Sequence, residues 1–142
     1  MYRRILVPLD GSRLAESVLP HVEEMAMKFG AEVVLFRAVP SEAATKASEP
    51  AVESAEQYLD PLARNLQQKG LSARTLVSQG EPARSILRAA CTEQVSLIAL
   101  STHGRSGLTA LLSGTVADEV MRNAHLPILL IRPSRYHMLP GI

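Results

Sequence analysis

Two stretches of the chain carry the residue types that could do chemistry. The first is Asp10-Gly11-Ser12, a carboxylate followed by a glycine and a hydroxyl. The second runs from Leu97 to Pro133 and contains Ser101, Thr102, His103, Gly104, Arg105, Ser106 and Gly107, then Gly114-Thr115. In it, Leu97 to Leu100 is an apolar run of strand length that stops at a polar loop broken by glycines. A helix then opens at Gly114-Thr115, before a second apolar run from Ile128 to Ile131. A strand feeding a glycine-rich loop that ends at a helix N-terminus gathers backbone N–H groups and the positive end of a helix dipole in one place. Such a place suits an anion, phosphate above all.

The elements that must position these groups alternate regularly. Ile5 to Asp10 is a short, nearly all-apolar run closed by Gly11-Ser12, as expected of a strand buried on both faces. Ser12 is the N-cap candidate for a helix from about Arg13 to Lys28, with Leu14, Val18, Val22, Met25 and Phe29 on one face. Pro20 should kink that helix, and Gly30 should end it. Val33 to Val39 is the second strand, and Ser41 to Pro50 reads as a loop without period. A helical pattern returns from about Ala51 to Lys69, with a kink expected at Pro61. Ala73 to Ser78 is a weaker strand expected near the sheet edge. Gln79-Gly80-Glu81-Pro82 is a turn that places proline at the start of a helix over Ala83 to Thr92. The strand at Leu97, its loop, a helix over Thr115 to Asn123 and the last strand follow, and residues 134–142 read as a loose tail.

Strands alternating with helices specify one α/β domain over residues 1–142, a Rossmann-like, doubly wound, five-stranded parallel sheet with helices on both faces. The expected strand order is 3-2-1-4-5. Ligands of such sheets bind outside the carboxyl ends of the strands, where the order reverses. Both Asp10-Gly11-Ser12 and Ser101 to Gly107 lie at carboxyl ends, and if strands one and four are neighbours at the switch point they face each other across one crevice.

Composition removes several function classes. At 142 residues, 15 basic and 14 acidic side chains leave a formal charge of +1, so no overall field recruits nucleic acid or an anionic membrane. No segment reaches the eighteen or so apolar residues of a membrane span. Aromatic platforms for single-stranded nucleic acid are poorly supplied. The single cysteine, Cys91, has alanine neighbours and reads as a buried, inert thiol, which fits a reducing cytoplasm. His21, His125 and His137 lack metal-ligand spacing. There is no Walker motif, no Gly-x-Gly-x-x-Gly after the first strand, and no nucleophile elbow with a supporting acid and histidine. A dedicated catalytic activity is not expected.

Pro8-Leu9-Asp10-Gly11-Ser12, the stretch from Ser101 to Gly107 and Gly114-Thr115 resemble the universal stress protein family over essentially the whole chain. Its nucleotide-binding members carry Gly, two residues, Gly, nine residues, then Gly followed by Ser or Thr. Gly104 stands at the second glycine and Gly114-Thr115 at the last pair, whereas Ser101 takes the first glycine's place. The resemblance implies a cytoplasmic stress-response module that binds ATP, with magnesium (Mg2+) beside the phosphates and at most slow hydrolysis. It implies that Pro8, Asp10, Gly11 and Ser12 line the nucleotide, with Asp10 at the ribose hydroxyls or near the magnesium. Ala38 and Val39 would meet adenine, Ser101, His103, Gly104, Arg105 and Gly107 would line ribose and phosphates, and Gly114 and Thr115 would hold the terminal phosphates. Each has a structural rival: Asp10 as a turn residue, Thr115 as a helix cap with Asp118, and His103 and Arg105 as solvated loop residues.

The alternative is an interaction module of the same fold that binds no nucleotide, and Ser101 is the feature that favours it. The last strand, Ile128, Leu129, Leu130, Ile131 and Arg132, is apolar and expected at an edge, which invites pairing. The resemblance points to a homodimer through it, with a further, unnamed protein as downstream partner.

Overall fold

The computed structural model describes residues 1–41, 48–102 and 115–132. Strands β1 (Arg4–Pro8), β2 (Glu32–Val39), β3 (Ser72–Gln79), β4 (Leu97–Ser101) and β5 (Ile128–Ile131) form one parallel sheet. Its order is β3-β2-β1-β4-β5, the order expected. The central strands have the continuous apolar sequences expected of strands covered on both sides: Ile5, Leu6 and Val7, Val33 to Phe36, and Ile98 to Leu100 are completely buried. Helices α1 (Arg13–Glu16), α2 (Leu19–Phe29) and α3 (Ser48–Gln68) cover one face, tied by Tyr58 to Glu16 and by Lys69 to Glu23. Helices α4 (Pro82–Thr92) and α5 (Thr115–Asn123) pack together on the other.

Three expectations are corrected. The first helix is not one kinked rod but two, α1 and α2, parted at Ser17-Val18. Pro20 has no N–H for the Glu16 carbonyl, so the chain stops at Glu16 and restarts with Pro20 in the first turn of α2, where the missing donor is tolerated. The expected loop from Ser41 to Pro50 is shorter at its far end, because α3 already begins at Ser48; residues 42–47 lie outside the described residues. Cys91 is exposed, not buried. The buried side of α4 is Ala83, Ser85, Ile86, Ala89 and Ala90, and one residue beyond Ala90 the helix has turned through about 100°. The expected tail, residues 134–142, lies outside the described residues.

At the amino ends of the strands, side chains bind neighbouring elements together. Glu32 of β2 receives Arg4 of β1 at 2.8 Å and Arg74 of β3 at 3.1 Å on the same oxygen, Oε1. Arg74 also reaches the Glu93 carboxylate at 3.1 Å, and Arg4 donates to the Glu93 carbonyl at 2.6 Å. The Ser96 hydroxyl, just before β4, donates to the Arg4 carbonyl at 3.0 Å.

Candidate functional site

At the carboxyl ends of β1, β2 and β3 the surface opens into a cavity of about 490 Å³. Pro8, Leu9 and Asp10 form one wall, Phe36, Ala38, Pro40 and Ser41 a second, and Gly80, Glu81, Pro82 and Ile86 the third. Two backbone bonds fix these walls: Leu9 N–H donates to the Phe36 carbonyl at 2.7 Å, and Gly80 N–H to the Val39 carbonyl at 2.9 Å. Glu81 does not offer its carboxylate freely, because it caps α4 by accepting from the N–H groups of Ala83 at 3.1 Å and Arg84 at 3.0 Å.

Asp10 has two distinct oxygens. Oδ1 accepts from the Ser12 N–H at 2.9 Å, the turn chemistry expected of Asp before Gly-Ser. Oδ2 is buried and has no partner among the described residues. A buried carboxylate oxygen without a donor is costly, and a ligand hydroxyl or hard cation reaching it would remove that cost. Ser12 in turn caps α1, its hydroxyl accepting from Ala15 N–H at 3.1 Å. Among the described residues no group of three or more metal-ligating side chains comes together.

Behind this loop sits a cluster that sequence reasoning missed. The Arg37 guanidinium lies so close to Gly11 that a Cβ there would stand 3.1 Å from Nη1. It also covers the Tyr58 ring, whose hydroxyl donates to Glu16 at 2.7 Å. Burial, and next this hydrogen bond to a carboxylate, push the Tyr58 phenol well above its ordinary range.

Of the sequence-predicted residues, Pro8, Asp10 and Ala38 meet in the cavity, with Gly11 and Ser12 on the adjoining turn. Val39 is buried, and its carbonyl accepts from Gly80 N–H. Ser101 closes β4 with its hydroxyl turned to α1, donating to the Leu14 carbonyl. His103, Gly104, Arg105, Gly107 and Gly114 lie outside the described residues, and Thr115 opens α5. Ile128, Leu129, Leu130, Ile131 and Arg132 are on or beside the edge strand β5, with Leu130 exposed to 38%. The third wall, Gly80-Glu81-Pro82, was legible as a turn. Its place after a strand, at a carboxyl end, was the signal that it belongs to the site.

A parallel sheet of order 3-2-1-4-5 with helices on both faces defines a doubly wound α/β protein. Residues 1–132 match the model of the Universal stress protein family, and the chain belongs to that family. It is similar to the universal stress protein MJ0531 of Methanocaldococcus jannaschii, 30% identical over 141 residues, covering 93% of this chain and 83% of the relative. Among solved structures it resembles the protein MJ0577 with a TM-score of 0.79 and 26% identity, over 94% of this chain and 98% of that one. A universal stress protein from Archaeoglobus fulgidus in complex with dAMP matches with a TM-score of 0.73 and 24% identity, over 92% and 98% of the two chains. Among the described residues no helix is long and apolar enough to cross a membrane.

Proposed function

We propose that this chain is an adenine-nucleotide-binding regulatory module, taking ATP at the rim cavity and working as a homodimer. The observation that carries the reading is Asp10 Oδ2, a buried carboxylate oxygen without a donor among the described residues, at the wall of a cavity of about 490 Å³. In this reading Oδ2 accepts from the ribose hydroxyls or stands beside phosphate-bound magnesium, for which a carboxylate oxygen is a fitting donor. Pro8 and Ala38 press on the base beside the Val39 backbone. Gly11 and Ser12 shape the near side. His103, Gly104, Arg105 and Gly107 follow the ribose and phosphates, and Gly114 with Thr115 brings amide hydrogens to the terminal phosphates at the start of α5. The dAMP held by the Archaeoglobus fulgidus relative supports the same ligand class here.

The two sheet edges differ in a way that favours pairing through β5. On β3, the Gln67 side chain donates to the Ala73 carbonyl at 2.7 Å and takes up a backbone acceptor. On β5, Leu130 stands exposed among apolar neighbours, and two-fold pairing with a second copy would cover it.

Mass spectrometry of the small molecules released from freshly purified protein, with calorimetric titration of ATP and magnesium, tests the nucleotide reading. An adenine nucleotide released by the wild type and lost on Gly114→Val is the expected result. No released nucleotide, together with no heat from ATP or AMP at millimolar concentration, would overturn it.

A further inference from the structure

Ser101 stands at the carboxyl end of β4 and is only 4% exposed. Its hydroxyl donates to the carbonyl of Leu14, which lies 87 positions earlier in the chain. Leu14 belongs to α1, a four-residue helix whose carbonyls have no following turn to bond. The same carbonyl receives the Ser17 hydroxyl at 2.6 Å and, more weakly, the Ser17 N–H at 3.2 Å. Ser17 Oγ is also 3.3 Å from Ser101 Oγ. A hydroxyl has one hydrogen to give, so Ser17 serves the nearer Leu14 oxygen, and Ser101 is the tie that reaches α1 from the sheet.

The direction of this tie matters for the cavity. Side chains alternate across a strand: Arg37 of β2 meets Tyr58 of α3, whereas Phe36 and Ala38 line the cavity together with Ile86 of α4. Helix α1 shares the α3 face, through Glu16 and Tyr58. Ser101 therefore sends its Cβ and hydroxyl to the face opposite the one on which Ile86 lines the cavity. From there a short path of bonds leads to the carboxylate. Ser101 holds Leu14, α1 is capped by Ser12 through Ala15 N–H, and Ser12 N–H holds Asp10 Oδ1.

We propose that Ser101 is a positioning residue of the nucleotide site, whose hydroxyl fixes α1 and thereby the Asp10 turn against the end of β4, without entering the space of the ligand. The proposal rests on the nucleotide reading above. It gives the departure from glycine at this position a sign that can be measured: if serine crowded the ligand, glycine would improve binding, whereas a positioning serine makes glycine worse.

The experiment is calorimetric titration of ATP with magnesium into the full chain, as wild type, Ser101→Gly, Ser101→Ala, Ser101→Cys, Ser101→Thr, Asp10→Asn and the Ser101→Ala/Asp10→Asn pair. Loss of one positioning hydrogen bond should weaken ATP by roughly five- to tenfold in the Gly, Ala and Cys variants. Ser101→Thr, which keeps the hydroxyl, should stay within about threefold of wild type. The double variant should lose less than the product of its single losses, because both act on one turn. Ser101→Cys, close to serine in volume, keeps the test standing if a smaller side chain prevents folding. Tighter binding by Ser101→Gly, wild-type affinity in Ser101→Ala or Ser101→Cys, or fully multiplicative losses would overturn this proposal while leaving the nucleotide reading intact. A wild type that binds no ATP would overturn both.

Discussion

The guanidinium of Arg37 lies over the ring of Tyr58, 5.0 Å from Cζ to centroid, and the ring's hydroxyl donates to Glu16 at 2.7 Å. One side chain of α3 thus meets β2 through its face and α1 through its edge. Removing only the hydroxyl, in Tyr58→Phe, should cost about 1 kcal/mol of stability. Tyr58→Ala loses ring packing and the cation–π contact as well and should cost about 3 kcal/mol. Urea denaturation reads both, and equal losses in the two variants would contradict this division of roles.

The same phenol gives the fold a weakness toward alkali. Burial and the Glu16 carboxylate raise its ionisation above the ordinary 10.0, so the folded chain keeps a proton that the unfolded chain releases. Its contribution to stability is complete below about pH 10 and declines as pH rises toward the folded value. Phenolate absorbance should show a step well above the usual range, absent in Tyr58→Phe. A wild-type titration curve without that late step would refute it.

Gly80 and Gly30 both have positive φ, but they should respond unequally to alanine. Gly80 has φ of +141°, and a Cβ there would stand 2.9 Å from Ser85 Oγ; Gly30 has φ of +65° and nothing within 4 Å. Gly30→Ala enters the left-handed region that other residues visit and should cost about 1 kcal/mol. Gly80→Ala occupies a region nearly reserved for glycine and also displaces Ser85, so a loss of about 3 kcal/mol is expected. Thermal unfolding ranks them, and a Gly30→Ala loss as large as that of Gly80→Ala would count against the local geometry.

Leu130→Lys tests the edge. If two copies pair through β5, facing lysines and the loss of an apolar contact should give monomers in light scattering, with little change in thermal stability of the monomer itself. An unchanged dimer mass would remove β5 as the interface.

Most element positions were legible because apolar runs of strand length are separated by Gly and Pro punctuation, and their alternation with helices marks a parallel sheet. The site was legible in part. Asp10 and Ala38 could be placed at a carboxyl rim, but the approach of Arg37 to Gly11 came only with the pairing of β1 and β2. Pro20 and Pro61 show the limit of local signals. Both sit in helical patterns, yet α3 continues across Pro61 while α1 ends before Pro20. At the first, α3 is long and continues for turns on either side. At the second, α1 is only four residues long and Pro20 falls in the first turn of α2, where its missing N–H is tolerated. Cys91 was misread because its alanine neighbours are adjacent in sequence but belong to another face of the helix.

The ion pairs around Glu32 lie at the amino ends of the strands, and the cavity lies at the carboxyl ends. Charge pairing and the cavity opening thus sit at opposite poles of the molecule.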